Sequence, residues 1–525
     1  MTGRFDALEA SPGSDAEREA FRALQASLPG MFARLIPDRL APRTIVVLPS
    51  LSLDAEVMAR IKGVHHYEER MLGMLTLLRL PRARVIYLTS RPIPETVIDY
   101  YLHFLQGVPS AHARARLRLL CCHDGSLRPL TEKVLERPRL LARLREAVGD
   151  PSSAHIAPYA VTPLERTLAV RLGLPVNGCD PDLSALGSKS GGRKIMREAG
   201  LAVPDGAEDL ADEAQVAQAL AALKRRRPSL RRAVVKLNEG FSGEGNALFS
   251  FEGAPSDETL DGWVEARLEN LAFEAPGMTF ADFGAKIREM GAVVEAFLDG
   301  EGKTSPSAQF RVDPSGAPSC VSTHDQMLGG PSGQVFLGCS FPADGAYRAL
   351  VAAEGGKVAR LLARRGVIGR FGVDFLCLRE EGEWRAYAIE INLRKGGATH
   401  PFLMLEFLTD GALERGSGLF LTPLGHPRYY VASDNLESER YRGLTPQDLV
   451  DLVVLEGLHF DGSVQEGVVF HLIGALSEFG KLGVVCVGAS PERAQALYER
   501  TKTILDGAQQ DCAAAGVCPC APEPS

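Results

Sequence analysis

The sequence predicts a multidomain fold of the α/β and α+β classes, with a βαβ amino-terminal layer, a two-lobed core and a small carboxyl-terminal α+β domain. The first observation behind this prediction is the length of 525 residues, which exceeds one hydrophobic core at roughly 100 to 200 residues per domain. The second is the alternation of strand-like and helix-like runs between about residues 44 and 180. The third is a new series of strands and helices that starts near residue 430.

The composition predicts a folded protein without a nucleic-acid or membrane partner. Apolar residues make up 45% and charged residues 24% of the chain, which are ordinary globular values. A net charge of -8 weighs against a nucleic-acid binder, because such proteins gain most of their affinity from a basic surface. The amino terminus lacks the pattern of a signal peptide, and charges interrupt every later apolar run before it reaches membrane-spanning length. We therefore expect a cytoplasmic protein.

The amino-terminal layer reads as a mostly parallel sheet. Its predicted strands lie in the runs TIVVLPS, RVIYLTS, RLRLLCCHD and AHIAPYAV. Helical stretches separate them around residues 67–80, 96–105, 131–148 and 164–172. Strands that alternate with helices are typical of βαβ units.

The core begins at small residues that precede a helix, RKIMREA, which ends at Gly200. We predict Ser190 as the N-cap of this helix. A strand over 233–238 runs straight into glycines, and further strands are predicted at 292–298, 307–313 and 317–323. A helix over 348–364 precedes a β-hairpin whose strands are FGVDFLCL and WRAYAIEIN.

Ten cysteines are scattered along the chain without the paired spacing of a zinc site. Most lie in apolar, strand-like runs, so we expect small buried side chains rather than disulfides. For Cys512, Cys518 and Cys520 in the tail, an incidental disordered segment is a better explanation than a metal or redox site.

A lysine on a strand is followed by a glycine-rich turn in VVKLNEGFSGEGN, where the lysine is Lys236. Such a lysine can hold phosphates, and glycines let bare backbone N–H groups close over phosphate oxygens. This signal is weak alone, because an ordinary glycine-rich hairpin would give the same pattern.

Polar side chains on the late hairpin provide a second signal. Glu390 and Asn392 must point to the same face, and Asp374 on the partner strand can face them. Two carboxylates and an amide suit magnesium, and hydrophobic neighbours argue against a merely solvated face. Arg394 follows at once, where a guanidinium can pair with a phosphoryl group or an oxyanion. The alternative for Arg394 is a surface ion pair.

The chain resembles the ATP-grasp superfamily, which includes D-alanine:D-alanine ligase and biotin carboxylase. The resemblance is carried by the order of Lys189, Lys236, Glu295, Asp374 and the segment 390–394. The resemblance covers about residues 186–425. The stretches VVKLNEGFSGEGNA, THDQMLGGPSGQVFLGC and GVVFHLIGALSEFGKLGV are similar to peptide ligases of the pheganomycin biosynthetic type.

The resemblance implies domains and a ligand set. The domains are a pre-ATP-grasp domain over 1–185, an ATP-grasp domain over 186–425 with a lid lobe at about 186–290 and a metal-binding lobe at about 291–425, a carboxyl-terminal domain over 426–506, and a disordered tail over 507–525. The ATP ligands are Lys189 and Lys236 for phosphates, a lid with Gly240, Ser242, Gly243 and Gly245, Glu295 for the adenine amino group, and the backbone of Ala296, Phe297 and Leu298 for the ring. The Mg²⁺ ligands, with Mn²⁺ as an alternative ion, are Asp374, Glu390 and Asn392.

In such a ligase Arg394 steadies the acyl phosphate and the tetrahedral intermediate. The chain also departs from the family pattern. Ala296 replaces a common lysine, and Gly372 lies where many relatives have an arginine that Arg370 can replace. The ribose-binding acid is open, with Glu301 the nearest candidate.

Substrate contacts are predicted at His324, Gln326, Gln334 and His400, each with a loop-stabilising hydrogen bond as the alternative. His471, on an apolar strand, is more typical of a core histidine. The predicted function is an ATP-dependent ligase that joins small-molecule or peptide carboxylates to amines, and family habit suggests a homodimer. The alternatives are an ATP-grasp phosphotransferase and a non-catalytic ATP-binding regulatory protein.

Overall fold

The computed structural model describes residues 10–53, 55–240, 245–329, 333 and 335–514. The chain divides into two compact units. We call Asp182–Leu393 the central unit, and Met1–Pro181 together with Arg394–Ser525 the split unit.

The amino-terminal part of the split unit contains a four-stranded parallel sheet. Its strands are β1 (Arg43–Leu48), β2 (Ala83–Thr89), β3 (Leu117–Cys121) and β4 (Ala154–Pro158). Their order is β3-β2-β1-β4. Every residue of the central strand β1 is buried, which explains its continuous apolar run. The predicted parallel βαβ layer is confirmed.

Helices connect these strands. They are α1 (Asp15–Leu35), α2 (Ala55–Arg60), α3 (Glu95–His103), α4 (Ser110–Arg114), α5 (Leu130–Leu135), α6 (Pro138–Val148) and α7 (Pro163–Leu172), with a 3₁₀ helix over Val64–Arg79. α7 begins with a capping box, in which Thr162 and Glu165 each bind the other's backbone N–H, and it ends at Gly173 with a φ of +67°.

The central unit begins with a five-stranded antiparallel sheet. Its strands are β5 (Gly206–Leu210), β6 (Arg232–Leu237), β7 (Asn246–Ser250), β8 (Ala272–Phe273) and β9 (Ala292–Ala296), in the order β5-β9-β6-β7-β8. Its helices are α8 (Lys189–Glu198), α9 (Glu213–Arg226), α10 (Leu260–Glu265) and α11 (Phe280–Met290). One buried apolar cluster, which includes Leu220, Val235 and Phe283, joins the sheet to the helices.

The start of α8 corrects one prediction. The N-cap is Ser188, whose hydroxyl accepts a hydrogen bond from Gly191 N–H (3.0 Å), whereas Ser190 lies inside the helix and is buried. Gly191 lies against the residues that precede the helix, since a Cβ at this position would lie 1.8 Å from the Ala185 carbonyl oxygen. This close approach agrees with a helix that begins directly after Ser188. The predicted end of this helix is confirmed by Gly200, which has a φ of +80°.

A second antiparallel sheet completes the central unit. Its strands are β10 (Pro306–Val312), β11 (Pro318–Gly329), β12 (Val335–Phe341), β13 (Gly369–Glu380) and β14 (Glu383–Asn392), in the order β14-β13-β10-β11-β12. Helix α12 (Arg348–Arg364) packs on β10 and β11. The predicted late hairpin is β13 and β14, in which Asp374 lies directly opposite Glu390.

The carboxyl-terminal part of the split unit is a mixed α+β structure. Its helices are α13 (Thr399–Thr409), α14 (Pro446–Leu455), α15 (Ala475–Phe479) and α16 (Pro491–Ala514). Its strands are β15 (Ala412–Leu413), β16 (Phe420–Leu421), β17 (Pro427–Glu437), β18 (Gly467–His471) and β19 (Lys481–Gly488), in the order β15-β16-β17-β19-β18. α16 packs on β17 and β19.

The structure draws some boundaries differently from the prediction. Residues 394–425, predicted to close the ATP-grasp domain, belong to the split unit. The reason is α13, an almost fully buried helix that packs on the 3₁₀ helix at Val64–Arg79. α16 continues to Ala514, where the tail was predicted to start at 507. Cys518 and Cys520 lie outside the described residues, as does the side chain of Cys512.

Two further observations concern the described ranges only. No helix there combines the length and the apolar character that a membrane span requires. The cysteines whose side chains are described are free thiols, and most of them are buried.

The packing of α12 on β10 generates a test of the fold. A Cβ at Gly355 would lie 2.5 Å from Phe310 Cε2, whereas a Cβ at Gly356 would meet only Arg360 Nη1, at 3.5 Å. We expect G355A to lower the free energy of unfolding by about 1–3 kcal/mol, as overpacking does. The matched G356A should be neutral or add up to about 1 kcal/mol, because alanine favours a helix. Urea unfolding of both variants measures this, and equal effects would contradict the packing.

Candidate active site

Lys189 lies at the start of α8 and contacts two distant parts of the central unit. Its backbone N–H donates to the Asn238 carbonyl (3.0 Å), just after β6, and the next N–H donates to Asn238 Oδ1 (2.9 Å). Its ammonium forms an ion pair with the Glu390 carboxylate on β14. One residue therefore joins the strand that carries Lys236 to the strand that carries the predicted metal ligands.

Lys236 and Glu295 form a buried ion pair. Val234 on β6 lies opposite Glu295 on β9, so Lys236, two residues along, is a diagonal neighbour of Glu295 on the same face. The ammonium is 2.5 Å from Glu295 Oε2, and the two side chains expose only 8% and 4% of their surface. A lysine has three N–H donors, so one bond to a carboxylate leaves others for a second anion.

Glu295 also binds a second cation, Arg193 from α8. Arg193 Nη1 donates to Glu295 Oε1 over 2.5 Å, so each carboxylate oxygen contacts one cation. Burial raises the pKa of Glu295, but Lys236 and Arg193 outweigh burial and hold its pKa below the usual range. The carboxylate is therefore ionised and engaged, and its predicted contact with an adenine amino group stays a prediction.

The backbone after Glu295 is mostly occupied. Ala296 N–H donates to the Asp205 carbonyl (2.7 Å), and Phe297 N–H donates to the Arg232 carbonyl (3.1 Å). Within the described part of the chain, Leu298 N–H makes no hydrogen bond. Of the three predicted ring-binding N–H groups, Leu298 is thus the one that a heterocycle can reach without breaking an existing bond.

The predicted phosphate lid is described only at its two ends. Leu237 N–H donates to the Gly245 carbonyl (2.9 Å), and the Cα atoms of Gly240 and Gly245 approach closely enough that a Cβ on Gly240 would touch Gly245 at 3.5 Å. The two described ends of the predicted lid, Gly240 and Gly245, therefore lie side by side next to the strand that carries Lys236. Ser242 and Gly243 lie outside the described residues.

The three predicted metal ligands share one face of β13 and β14. Asn392 Nδ2 donates to Asp374 Oδ2 (3.0 Å), and Gln326 Nε2 donates to Asp374 Oδ1 (2.9 Å). Glu390 lies opposite Asp374 and binds Lys189. All three ligand candidates are partly exposed, so an incoming ion can reach them.

This donor set fits a hard divalent cation. Asp374 and Glu390 provide two adjacent carboxylates, and Asn392, which uses its nitrogen toward Asp374, keeps an amide oxygen as a donor. No cluster of three or more His, Cys, Asp or Glu residues suited to a metal occurs among the described residues, so this set depends on the amide.

Arg394 is the first residue of the second segment of the split unit. Its Nη1 donates to the Lys395 carbonyl (3.2 Å). Lys395 binds the end of β4 twice, through its N–H to the Tyr159 carbonyl (3.2 Å) and through its ammonium to the Pro158 carbonyl. The loop that carries Arg394 is thus fixed to the parallel sheet.

The predicted substrate contacts are mostly enclosed by protein. His324 and His400 expose 0% and 3% of their surface, so neither side chain as placed presents a face to a substrate. His400 Nδ1 binds the Arg70 carbonyl (2.5 Å), and its ring lies 4.4 Å from that of His471, which is a core residue as expected. Burial lowers the pKa of His324 to about 3, so it is uncharged.

The other two candidates differ from these histidines. Gln326 reaches the predicted metal face through its bond to Asp374, which makes it a supporting residue of that face. Gln334 lies outside the described residues. Arg193 was not predicted from the sequence. The pattern that could have indicated it is its position one helical turn after Lys189, on the same face of α8.

Three family models match the chain. They are "Pre ATP-grasp domain" over residues 89–174, "IQCH-like, ATP-grasp" over 181–256 and 258–416, and "PGM1 C-terminal domain" over 448–501.

Two solved structures similar to the chain are N5-carboxyaminoimidazole ribonucleotide synthetase with ADP and Campylobacter jejuni biotin carboxylase with a nucleotide. The first has a TM-score of 0.49 at 15% identity and covers 89% of this chain and 98% of its own. The second has a TM-score of 0.45 at 14% identity and covers 76% and 77%.

Two relatives are similar in sequence. The IQ motif-containing protein H of Danio rerio is 23% identical over 89% of this chain, which spans 48% of that longer protein. The L-propargylglycine–L-glutamate ligase of Streptantibioticus cattleyicolor is 32% identical over 88% of this chain and 94% of the relative. On this last similarity, the chain belongs to the ATP-grasp superfamily of carboxylate–amine ligases, among the peptide ligases of the pheganomycin type.

Proposed function

We propose that this ATP-dependent carboxylate–amine ligase joins the carboxylate of one amino acid or short peptide to the amine of another. The reaction passes through an acyl phosphate and releases ADP and phosphate. The observation that supports this proposal most strongly is the pair of contacts made by Lys189. Its backbone binds the end of the strand that carries Lys236, and its ammonium binds Glu390. Phosphate-binding and metal-binding candidates thereby belong to one cluster within the central unit.

The first step activates the carboxylate. A carboxylate is a poor acylating agent because its leaving group would be oxide. One of its oxygens therefore attacks the γ-phosphorus of ATP, a new C–O–P linkage forms, and the bond to the ADP oxygen breaks. The ammoniums of Lys189 and Lys236 offset the charge of the phosphates during this transfer.

The acid face of β13 and β14 would hold a divalent cation beside the phosphates. Asp374, Glu390 and Asn392 would hold Mg²⁺, whose chemistry is to neutralise and orient the triphosphate. Gln326 and Asn392 each donate a hydrogen bond to Asp374, which fixes the orientation of that carboxylate. The protein thus presents a rigid carboxylate rather than a mobile one.

The second step forms the amide. The amine nitrogen attacks the acyl carbon, a C–N bond forms, phosphate leaves with the former carboxylate oxygen, and the nitrogen loses a proton. The Arg394 guanidinium stabilises the oxyanion that develops in this step. Water must be excluded meanwhile, because it would hydrolyse the mixed anhydride, and the segment between Gly240 and Gly245 is the candidate cover.

The substrates follow by analogy from the relative that ligates L-propargylglycine to L-glutamate. We propose small L-amino acids as carboxylate donors and amine acceptors, with L-glutamate as the first substrate to assay in either role. Pools of other amino acids and dipeptides then define each specificity.

An isotope experiment tests the acyl-phosphate route. With an ¹⁸O-labelled carboxylate substrate, we expect one ¹⁸O atom in each phosphate released, as measured by mass spectrometry. Unlabelled phosphate, or release of AMP and pyrophosphate, would contradict the route. A phosphorylated product without an amide would show a phosphotransferase instead, and no turnover with any pool would favour a regulatory ATP-binding protein.

The predicted metal ligands have their own test. We expect D374N and E390Q to weaken MgADP binding by about tenfold or more, since each removes a charged oxygen donor, while metal-free ADP binding changes little. Isothermal titration calorimetry measures both affinities. E383Q, at the exposed start of β14, is the matched control and should bind as the parent protein does. Equal losses with and without Mg²⁺ would refute a metal role for this face.

Arg394 is expected to act in turnover rather than in binding. R394M should lower kcat by about 100-fold or more, as loss of an oxyanion-stabilising group does, with nucleotide affinity within a few-fold of the parent. R415M, at an exposed arginine of the same segment, serves as the control. A kcat for R394M that equals the control would remove Arg394 from the mechanism.

A further inference from the structure

We propose that Arg193 is a positioning residue that acts through Glu295 on Lys236, and that it keeps the Lys236 ammonium available to the phosphates of ATP. This inference rests on the proposed function, because it assumes that Lys236 binds nucleotide phosphate. The proposal adds Arg193 to the site. The hydrogen bonds of its side chain go to Glu295, Glu208 and Pro204 rather than to either lysine.

Arg193 is almost wholly enclosed and fully engaged. Its side chain exposes 2% of its surface. Nη1 donates to Glu295 Oε1 (2.5 Å), Nε to Glu208 Oε2 (3.3 Å) and Nη2 to the Pro204 carbonyl (3.0 Å). Three acceptors on three sides leave the planar guanidinium one orientation.

This arrangement fixes the carboxylate that holds Lys236. Glu295 Oε1 is bound by Arg193, so the carboxylate cannot rotate, and Oε2 points to one place. The Lys236 ammonium binds Oε2 at 2.5 Å. A lysine has a flexible four-carbon stem, so the position of its charge depends on the partner that holds it. Arg193 therefore determines, through Glu295, where the Lys236 ammonium lies.

The charge balance of the cluster points to the same role. Glu295 needs one cation for neutrality, and Lys236 alone would provide it. With Arg193 also bound, Glu295 is shared by two cations, and the three residues carry a net positive charge. Glu208 is in turn shared by Arg193 and Arg197. Because the solvent-exposed Arg197 balances Glu208, the positive charge that can attract a phosphate is the net charge of Lys236, Glu295 and Arg193.

The position of Arg193 on α8 supports this role. Arg193 follows Lys189 by four residues, so the two side chains lie on the same face of the helix. One helix thus carries a direct phosphate ligand at its start and the support for the second lysine one turn later.

The test compares R193M and R193K with R197M. Arg197 is the matched control, because it lies one turn further on α8 and binds Glu208 but not Glu295, and 44% of its side chain is exposed. We expect R193M to raise the KM for ATP and the Kd for ADP by about tenfold or more, which is the loss typical of a charge-assisted contact. Inorganic tripolyphosphate, which has phosphates but no adenine for Glu295 to bind, should inhibit R193M about tenfold more weakly than it inhibits the parent, and R197M should resemble the parent in every assay.

R193K gives a second, milder substitution. It keeps the charge but cannot reach Glu295, Glu208 and the Pro204 carbonyl together, so its affinity for ATP should lie between those of R193M and the parent. If R193M does not fold, R193K decides alone: a loss of ATP affinity together with weaker inhibition by tripolyphosphate supports the proposal, and any other result overturns it.

The pH profile provides an independent measurement. Burial raises the pKa of Glu295, and Lys236 and Arg193 together hold it below the usual range. Without Arg193 that pKa rises, so Glu295 becomes protonated at a higher pH and releases Lys236 there. We expect the acid limb of the profile of kcat/KM for ATP to move to higher pH in R193M and to stay in place in R197M.

The outcomes separate this inference from the proposed function. A parent protein that binds no ATP would refute the function itself. A parent that binds ATP, with an R193M variant that keeps the parent's affinity for ATP or for tripolyphosphate, would refute only the role of Arg193.

Discussion

The candidate site depends on the placement of buried and half-buried cations against acids. Lys236 and Arg193 hold the two oxygens of Glu295, and Lys189 holds Glu390. A buried charge without a partner costs several kcal/mol, so these pairings constrain the strands and the helix that carry them. The same groups that the fold must neutralise are the groups that a nucleotide would bind.

The two sheets of the central unit are coupled through α8. The backbone at Lys189 is fixed to Asn238 after β6, its side chain reaches β14, and Arg193 reaches β9. A short helix that starts at Ser188 thereby sets the position of groups from both sheets. In the sequence alone, Lys189 before a helix that starts with small residues is a weak signal. Its ion pair with Glu390 explains why the lysine and the later acids together indicate one site.

The sequence predicted those parts of the molecule that depend on local pattern. Alternating side chains fixed the shared face of Asp374, Glu390 and Asn392, and continuous apolar runs identified the parallel strands. It did not predict long-range partners. Arg193 lies in the predicted helix RKIMREA, and only the fold brings it to Glu295. The packing of the helix after Arg394 on residues 64–79 is another long-range contact that no local pattern predicts.

A crystal structure of the protein with MgADP tests the central claim most directly, because that claim is spatial. Lys189, Lys236 and the acid face of β13 and β14 should surround a single nucleotide. We expect both lysine ammoniums within hydrogen-bond distance of phosphate oxygens and the metal ion bound by Asp374 and Glu390. A nucleotide bound elsewhere, with the Lys236–Glu295 and Lys189–Glu390 pairs untouched by phosphate or metal, would contradict the account.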